Sequence, residues 1–233
     1  MNKKIVGIIC AMELELQGLL DIIETESTME KSGTTFYKGK IQNTDVVIVQ
    51  CGIGKVSAAI CTQMLIDFYS PSVIINSGVA GALSTDVTVG DIVVATAAVQ
   101  HDFDCTAFGD PKGTLELLGK RMIELPSDEE ISGKLFEAAQ NLEGTRAFRG
   151  VIATGDKFVS DSNERLAIGK EFSALACEME GGAMAQVCIR AEVPFAILRS
   201  ISDDIGHNTT VDFNEFKVMA AAKTIEVLKA VLD

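Results

Sequence analysis

Short β-branched runs alternate with amphipathic stretches along this chain of 233 residues. Residues 5–9 are a continuous apolar run, which suits a strand buried on both faces. Over residues 13–24, Leu16, Leu19, Leu20 and Ile23 keep helical spacing. Residues 35–41 and 46–49 read as the strands of a hairpin, joined by the turn Gln42-Asn43-Thr44. Gly52-Ile53-Gly54 breaks the pattern. Residues 55–68 then read as a helix that ends before Pro71, and residues 73–75 as another buried strand. In the glycine-rich segment 77–82, Gly78 and Gly81 suit a tight turn with close backbone packing.

Residues 90–98 read as a strand and 101–113 as a polar, aromatic loop. Residues 127–141 suit a helix with Ser127 as N-cap and Glu130 at the capping-box position. A strand over 148–153, a loop over 155–161 and a short helix over 162–169 follow. The strand 174–177 runs into Met179-Glu180-Gly181-Gly182 and a small-residue helix to Arg190, and 194–198 is a strand. Asp212 caps the last helix, with Glu215 completing the box and Phe216, Met219, Ile225, Leu228 and Leu232 on the buried side. Strands and helices alternate from end to end with no linker or repeat, which predicts one doubly wound α/β domain spanning residues 1–233. Ligands in such sheets sit beyond the carboxyl ends of the strands. The loops after Ile9, Val49, Ile75, Ala153, Cys177 and Leu198 are therefore the ones expected to carry chemistry.

Composition narrows the function. Hydrophobic residues make up 47% and charged residues 23%, a globular balance that argues against disorder. A net charge of −13 repels nucleic acid and anionic membranes, so neither is an expected partner. Cys10, Cys51, Cys61, Cys105, Cys177 and Cys188 are scattered, mostly in apolar stretches and with no C-x-x-C pair, which points to free thiols in a reducing cytoplasm. The apolar run after Lys3-Lys4 stops at Glu13 without a small-residue cleavage pattern and reads as a strand rather than a signal peptide. No run approaches the ~18 apolar residues of a membrane span. His101 and His207 stand alone with no metal-ligand spacing, and there is no G-x-S-x-G elbow.

The strand ends carry carboxylates, glycines and one arginine. Glu13 and Glu15 follow the first strand, Gly52-Ile53-Gly54-Lys55 the strand ending at Val49, and residues 76–81 the strand ending at Ile75. Gly155-Asp156-Lys157-Phe158 follows Ala153, Glu178-Met179-Glu180 follows Cys177, and residues 199–204 follow Leu198. Singly, each has an ordinary explanation. Glu15 in a helix's first turn is favoured by the dipole, Asp203 suits a loop or cap, and Gly52-Ile53-Gly54-Lys55 is too short for a P-loop.

In combination they are more specific. The segments from Gly7 to Glu15 (ending Ala11-Met12-Glu13-Leu14-Glu15), Gly52-Ile53-Gly54-Lys55-Val56, Thr106-Ala107-Phe108-Gly109, Glu178-Met179-Glu180, Arg199-Ser200-Ile201-Ser202-Asp203 and Asp212-Phe213-Asn214-Glu215-Phe216 occur in this order. Together they resemble the bacterial 5′-methylthioadenosine/S-adenosylhomocysteine nucleosidases of the purine and uridine phosphorylase superfamily, over essentially the whole chain. The resemblance implies a single three-layer α/β domain of the nucleoside phosphorylase type, with a central mixed twisted sheet flanked by helices. It implies hydrolysis of the N-glycosidic bond of both nucleosides, releasing adenine and a 5-thio-substituted ribose in methionine and S-adenosylmethionine salvage.

By the same resemblance, Glu15 is the base that activates water, Glu180 bonds the ribose hydroxyls, and Asp203 is the acid at N7 of adenine. Met179 and Arg199 are ribose contacts, Phe158 stacks on the base, and the Val159 backbone reads the adenine edge. Met12, Ile53, Phe108 and Phe213 match an apolar pocket for the 5′ substituent, Phe108 reaching it from the neighbouring subunit of a homodimer. Gly81 belongs to the glycine-rich wall of the site.

The chemistry follows from the bond broken. Cleaving a glycosidic C–N bond leaves positive charge on the ribose and negative charge on the base. One carboxylic acid protonates the base, one carboxylate steadies the cationic sugar through its hydroxyls, and one deprotonates water. No metal or organic cofactor is required. Two departures from the family stand out: Val79 replaces a hydroxyl residue, and Asp204 directly follows Asp203. A phosphorylase of the same fold would need cations for phosphate, with Arg146, Arg149 and Lys55 as candidates. A hydrolase for another 6-aminopurine nucleoside is a substrate variant of the same reading, whereas the carboxylate set argues against a non-catalytic binding protein on this scaffold, because unpaired buried charges are costly without a purpose.

Overall fold

The computed structural model describes residues 4–205 and 209–232. The chain opens with β1 (Ile5–Cys10) and α1 (Glu13–Leu20), then β2 (Glu24–Lys31), β3 (Thr34–Ile41), β4 (Thr44–Gln50), α2 (Lys55–Tyr69) and β5 (Val73–Ala82). Next come β6 (Ile92–Gln100), a single 3-10 turn at Thr106–Phe108, the small hairpin β7 (Leu115–Leu117) and β8 (Lys120–Met122), and β9 (Leu125–Pro126). The second half is α3 (Glu129–Gln140), β10 (Ala147–Thr154), α4 (Ser162–Phe172), β11 (Ala174–Glu178), α5 (Gly181–Arg190), β12 (Phe195–Asp203) and α6 (Thr209–Val231).

One mixed ten-stranded sheet runs through the molecule in the order β11-β10-β6-β12-β5-β1-β4-β3-β2, with β9 beside β6. β1 lies parallel to β4 and β5; β12 lies parallel to β5 but antiparallel to β6. The far end curls back on itself. β11 pairs antiparallel with the end of β5, Cys177 opposite Gly81, while Asp203 of β12 faces Gly81 from the other side. Strands β5, β12, β6, β10 and β11 thus close into a ring, and the carboxyl ends of β5, β11 and β12 converge.

Helices cover both faces, because the inner strands are apolar on both. Ile8 packs in a layer with Leu16 and Leu19 of α1, Leu135 of α3 and Leu228 of α6. Its neighbour Ile9 packs in the opposite layer, with Cys61 and Leu65 of α2 and Met184 and Cys188 of α5. Alternating side chains of one strand feed two cores. A third cluster sets Ile168 and Phe172 of α4 against Val151 and Val159. The result is the three-layer arrangement around a mixed sheet.

The differences from the sequence reading have physical causes. α1 stops at Leu20, and residues 24–31 form an edge strand. Its sequence, Glu-Thr-Glu-Ser-Thr-Met-Glu-Lys, is almost wholly exposed and has no apolar face, as suits an edge protected by charge. Segments 77–82 and 199–203 are the second halves of β5 and β12, not loops. Their polar residues are buried, Ser77, Arg199, Ser200 and Ser202 among them, so polarity is a false stop signal here.

Asp128, not Ser127, caps α3: its carboxylate accepts from Ile131 N at 3.0 Å, while the buried Ser127 hydroxyl has no partner among the described residues. α6 already begins at Thr209, which places Asp212 inside its first turn, and His207 lies outside the described residues. The six cysteines are free, and among the described residues no helix is long and apolar enough to cross a membrane.

Asp128→Ala is expected to lower stability by about 1 kcal/mol, seen as a lower urea midpoint at unchanged slope. Ser127→Ala should leave the midpoint unchanged or raise it, since no hydrogen bond is lost.

Candidate active site

The first carboxylate is set by the start of α1. Met12, extended at φ −111° and ψ 152°, is the N-cap, and Glu15 in the first turn folds back on it. Glu15 Oε2 accepts from Ala11 N and Met12 N, both at 2.9 Å, and Oε1 accepts from Val79 N at 3.2 Å. The side chain is 4% exposed. Burial pushes its pKa up, against the pull of those N–H groups and the Arg199 guanidinium. Gly78 makes this approach possible: a Cβ there would lie 2.6 Å from Glu15 Oε1. Val79 contributes a backbone N–H, which its side chain does not alter. Ser200, in register with Val79, keeps a buried hydroxyl without a partner among the described residues.

The second group is organised by a buried arginine. Arg199 donates to Glu178 Oε2 at 2.6 Å, to the carbonyls of Asn76 and Leu198 at 3.0 Å each, and to Asn76 Oδ1. Glu178 also accepts from the Thr154 hydroxyl and from the N–H groups of Glu180 and Gly181 at 2.9 and 2.7 Å. This leaves the Glu180 carboxylate facing the loop before α2, where Gly54 N donates to it at 2.8 Å. Gly54 takes φ +96°, a left-handed conformation that glycine tolerates. Burial raises the pKa of Glu180 to about 7; Glu178 and Glu15 push the same way, and Arg199 and the Gly54 N–H oppose them.

Asp203, the third group, is 1% exposed at the end of β12. Its Oδ1 accepts from Ser202 Oγ at 2.7 Å, and its Oδ2 is ion-paired with Arg165 of α4. Gly81 leaves room for that pair, since a Cβ there would lie 2.5 Å from an Arg165 nitrogen and 2.8 Å from Asp203 Oδ2. Neither Gly78 nor Gly81 has positive φ. They are not turn residues but strand positions without a side chain, each opposite a carboxylate. Asp204 turns elsewhere, accepting from Val89 N at 3.4 Å.

The aromatic residues divide. The rings of Phe158 and Phe213 meet edge to face, centroids 5.5 Å apart. Val159, next to Phe158 in sequence, is buried, with its carbonyl accepting from Arg165 Nε at 2.8 Å. Met12 and Met179 are half-buried. Ile53 and Phe108 stand out from their own chain, 61% and 87% exposed. The three cations suggested for phosphate are all ion-paired: Lys55 with Asp102, Arg146 with Asp91 and Arg149 with Glu129. Among the described residues, no group of three His, Cys, Asp or Glu side chains could hold a metal ion. His101 is buried, and burial lowers its pKa.

Sequence reasoning misses three residues. Glu178 and Asn76 stand within the motifs but receive no role from them; in the structure they hold Arg199. Arg165 belongs to no motif. A signal is nonetheless present, because Arg165 shares the buried side of α4 with Ile168 and Phe172 at spacings of three and seven. A charge on an apolar helix face requires a partner.

The raised pKa of Glu180 has a measurable consequence. A carboxyl with a pKa near 7 in the folded state and 4.5 in the unfolded state holds its proton longer when folded. Its contribution to stability therefore falls as pH rises through that interval. Glu180→Gln keeps the acceptor for Gly54 N and removes the charge. It should stabilise the ligand-free protein by roughly 2–4 kcal/mol above neutral pH, with the gain vanishing in acid, as read by urea unfolding across pH.

The model of the Phosphorylase superfamily matches residues 5–233. The chain is 38% identical to the 5′-methylthioadenosine/S-adenosylhomocysteine nucleosidase of Shewanella pealeana, with 98% of each covered. Its fold matches the Neisseria meningitidis nucleosidase of the same name, solved in complex with methylthio-immucillin-A, at a TM-score of 0.91 and 34% identity over 98% of both chains. It also matches the futalosine hydrolase of Helicobacter pylori at a TM-score of 0.90 and 32% identity, over 99% of this chain and 97% of that one. With the motifs, the ring-closed sheet and these relatives in agreement, the chain belongs to the phosphorylase superfamily.

Proposed function

We propose that the protein hydrolyses the N-glycosidic bond of 5′-methylthioadenosine and S-adenosylhomocysteine, releasing adenine and the 5-thio-substituted ribose. The observation that carries water over phosphate is the state of the cations. Lys55, Arg146 and Arg149 are each held in an ion pair, and Arg165 and Arg199 are buried against Asp203 and Glu178. A phosphate dianion placed near Glu15 and Glu180 would meet carboxylates. At ~4 Å and an effective dielectric of ~20, one such pair of charges costs about 4 kcal/mol.

In this reading Glu15, its pKa raised by burial, takes the proton of the attacking water. Glu180 bonds the ribose hydroxyls as the sugar becomes cationic, with Met179 and Arg199 beside it. Asp203 gives its proton to N7 as the base leaves. Phe158 stacks on adenine, the Val159 backbone reads its edge, and Met12, Ile53 and Phe213 surround the 5′ substituent. Phe108 completes that pocket from a second copy of the chain. Its exposure supports this, as do Ile53, Val56 and Ile60, which are 61%, 70% and 56% exposed, the last two a turn apart on α2.

Adenine release from methylthioadenosine should run equally fast in phosphate-free buffer and yield free methylthioribose. Glu15→Gln and Asp203→Asn should each lower kcat by about 10² to 10⁴ with a smaller effect on binding. A strict phosphate requirement, with a sugar 1-phosphate as product, would place the protein among the phosphorylases. Relative rates on methylthioadenosine, S-adenosylhomocysteine and 5′-deoxyadenosine would show which 5′ group is preferred.

Sedimentation should find a homodimer at micromolar concentration, and Phe108→Ala should raise KM more than it lowers kcat. A fully active monomer would contradict the role given to Phe108.

A further inference from the structure

We propose that Arg165 is a positioning residue that locks the proton-donating Asp203 to the segment reading the base and receives the charge Asp203 acquires on giving up its proton. The proposal rests on Asp203 being the acid at the leaving base.

The geometry is a three-point clamp from one buried side chain. Arg165 Nε donates to Val159 O at 2.8 Å, one terminal nitrogen lies 3.4 Å from Asp203 O, and the other is ion-paired with Asp203 Oδ2. The guanidinium is 1% exposed, so these contacts are not diluted by solvent. It comes from α4, whereas Val159 lies in the loop after β10 and Asp203 ends β12. Gly81 of β5 supplies the fourth side of the clamp by having no side chain to fill the space. Ser202 Oγ occupies the other carboxylate oxygen.

The chemistry assigns a use to this arrangement. In the reactive form Asp203 carries a proton on Oδ1, the oxygen beside Ser202, while Oδ2 still accepts from Arg165. As the C1′–N9 bond breaks, its electron pair moves into the purine and that proton passes to N7. Asp203 is returned to a carboxylate in a buried place, where an unpaired charge is costly. The guanidinium already aimed at Oδ2 completes the ion pair without moving, which is the condition under which fixed donors lower a barrier. The Nε contact with the Val159 carbonyl means that the same residue fixes the distance from donor to base.

The test separates departure of a poor leaving group from departure of a good one. Arg165→Met should lower kcat on methylthioadenosine by about 10²-fold, within the range of general acid catalysis. On 4-nitrophenyl 5-methylthioriboside, whose nitrophenolate leaves without a proton, the change should be less than about threefold. Asp203→Asn should show the same split. In the Asp203→Asn background, Arg165→Met should slow methylthioadenosine hydrolysis no further, since two residues acting as one unit are not additive. That double variant leaves no unpaired buried carboxylate, so it supplies the comparison even where Arg165→Met alone fails to fold. Arg165→Lys keeps the charge but not the fork that spans Val159 and Asp203, and should recover only part of the rate.

Equal losses on both substrates, or a full additional loss in the Asp203→Asn background, would overturn the proposal by showing a purely structural role. A slow Asp203→Asn with Arg165→Met at the wild-type rate would overturn it alone. Wild-type activity in Asp203→Asn would remove the acid assignment and the role of Arg165 with it.

Discussion

A guanidinium buried among three strands is the constraint on which this molecule turns. Arg199 is 2% exposed, ion-paired with Glu178 of β11 and bonded to Asn76 of β5, and it stands on β12 itself. Burying an ion pair carries a desolvation cost that only good geometry and further hydrogen bonds offset. Here the remaining Glu178 lone pairs are met by Thr154 and two backbone N–H groups. The positive charge also moderates Glu15 and Glu180, lowering both against the effect of burial. Without it, Glu15, Glu178 and Glu180 would share a buried end of the sheet, and the other buried guanidinium there, Arg165, is already paired with Asp203.

The three proposed catalytic carboxyl groups then differ by local detail rather than by residue type. Glu15 is tied to backbone N–H groups, Glu180 to a single N–H under pressure from two other acids, and Asp203 to a guanidinium and a hydroxyl. Different partners place the three groups in different electrostatic surroundings, the means by which one site can assign separate roles to like residues. Glu15 also serves the fold, because its carboxylate satisfies the open end of α1. The dipole explanation and the functional one describe the same side chain.

Most of the layered fold was legible because its central strands are β-branched runs, and no other element reads so plainly. Legibility failed where polar residues are buried or apolar ones are not needed. The second halves of β5 and β12 looked like loops because Ser77, Gly78, Ser200 and Ser202 carry no apolar signal. β2 was invisible because an edge strand facing water has no hydrophobic alternation. Ring closure by β11 and β5 depends on pairing between residues almost a hundred positions apart, which periodicity does not encode. Within the site, motifs pointed to Glu15, Glu180, Asp203 and Gly81. Arg165 had no motif, only a charge on the wrong face of a helix.

The register at Gly81 has a consequence for how the chain acquires its structure. Gly81 lies between Cys177 and Asp203, so its two strand partners are the last in the sheet to be synthesised. Closing such long loops is slow because the entropy is lost before the contacts form. β1, α1 and the hairpin of β3 and β4 can pair early, but the pocket cannot exist until β12 enters the ring. A nascent chain therefore carries the segment with Glu15 long before the segment with Asp203, and no partial fold holds a working half of the site. Chemical competence therefore waits for β12 and for α6, which follows it and carries Phe213.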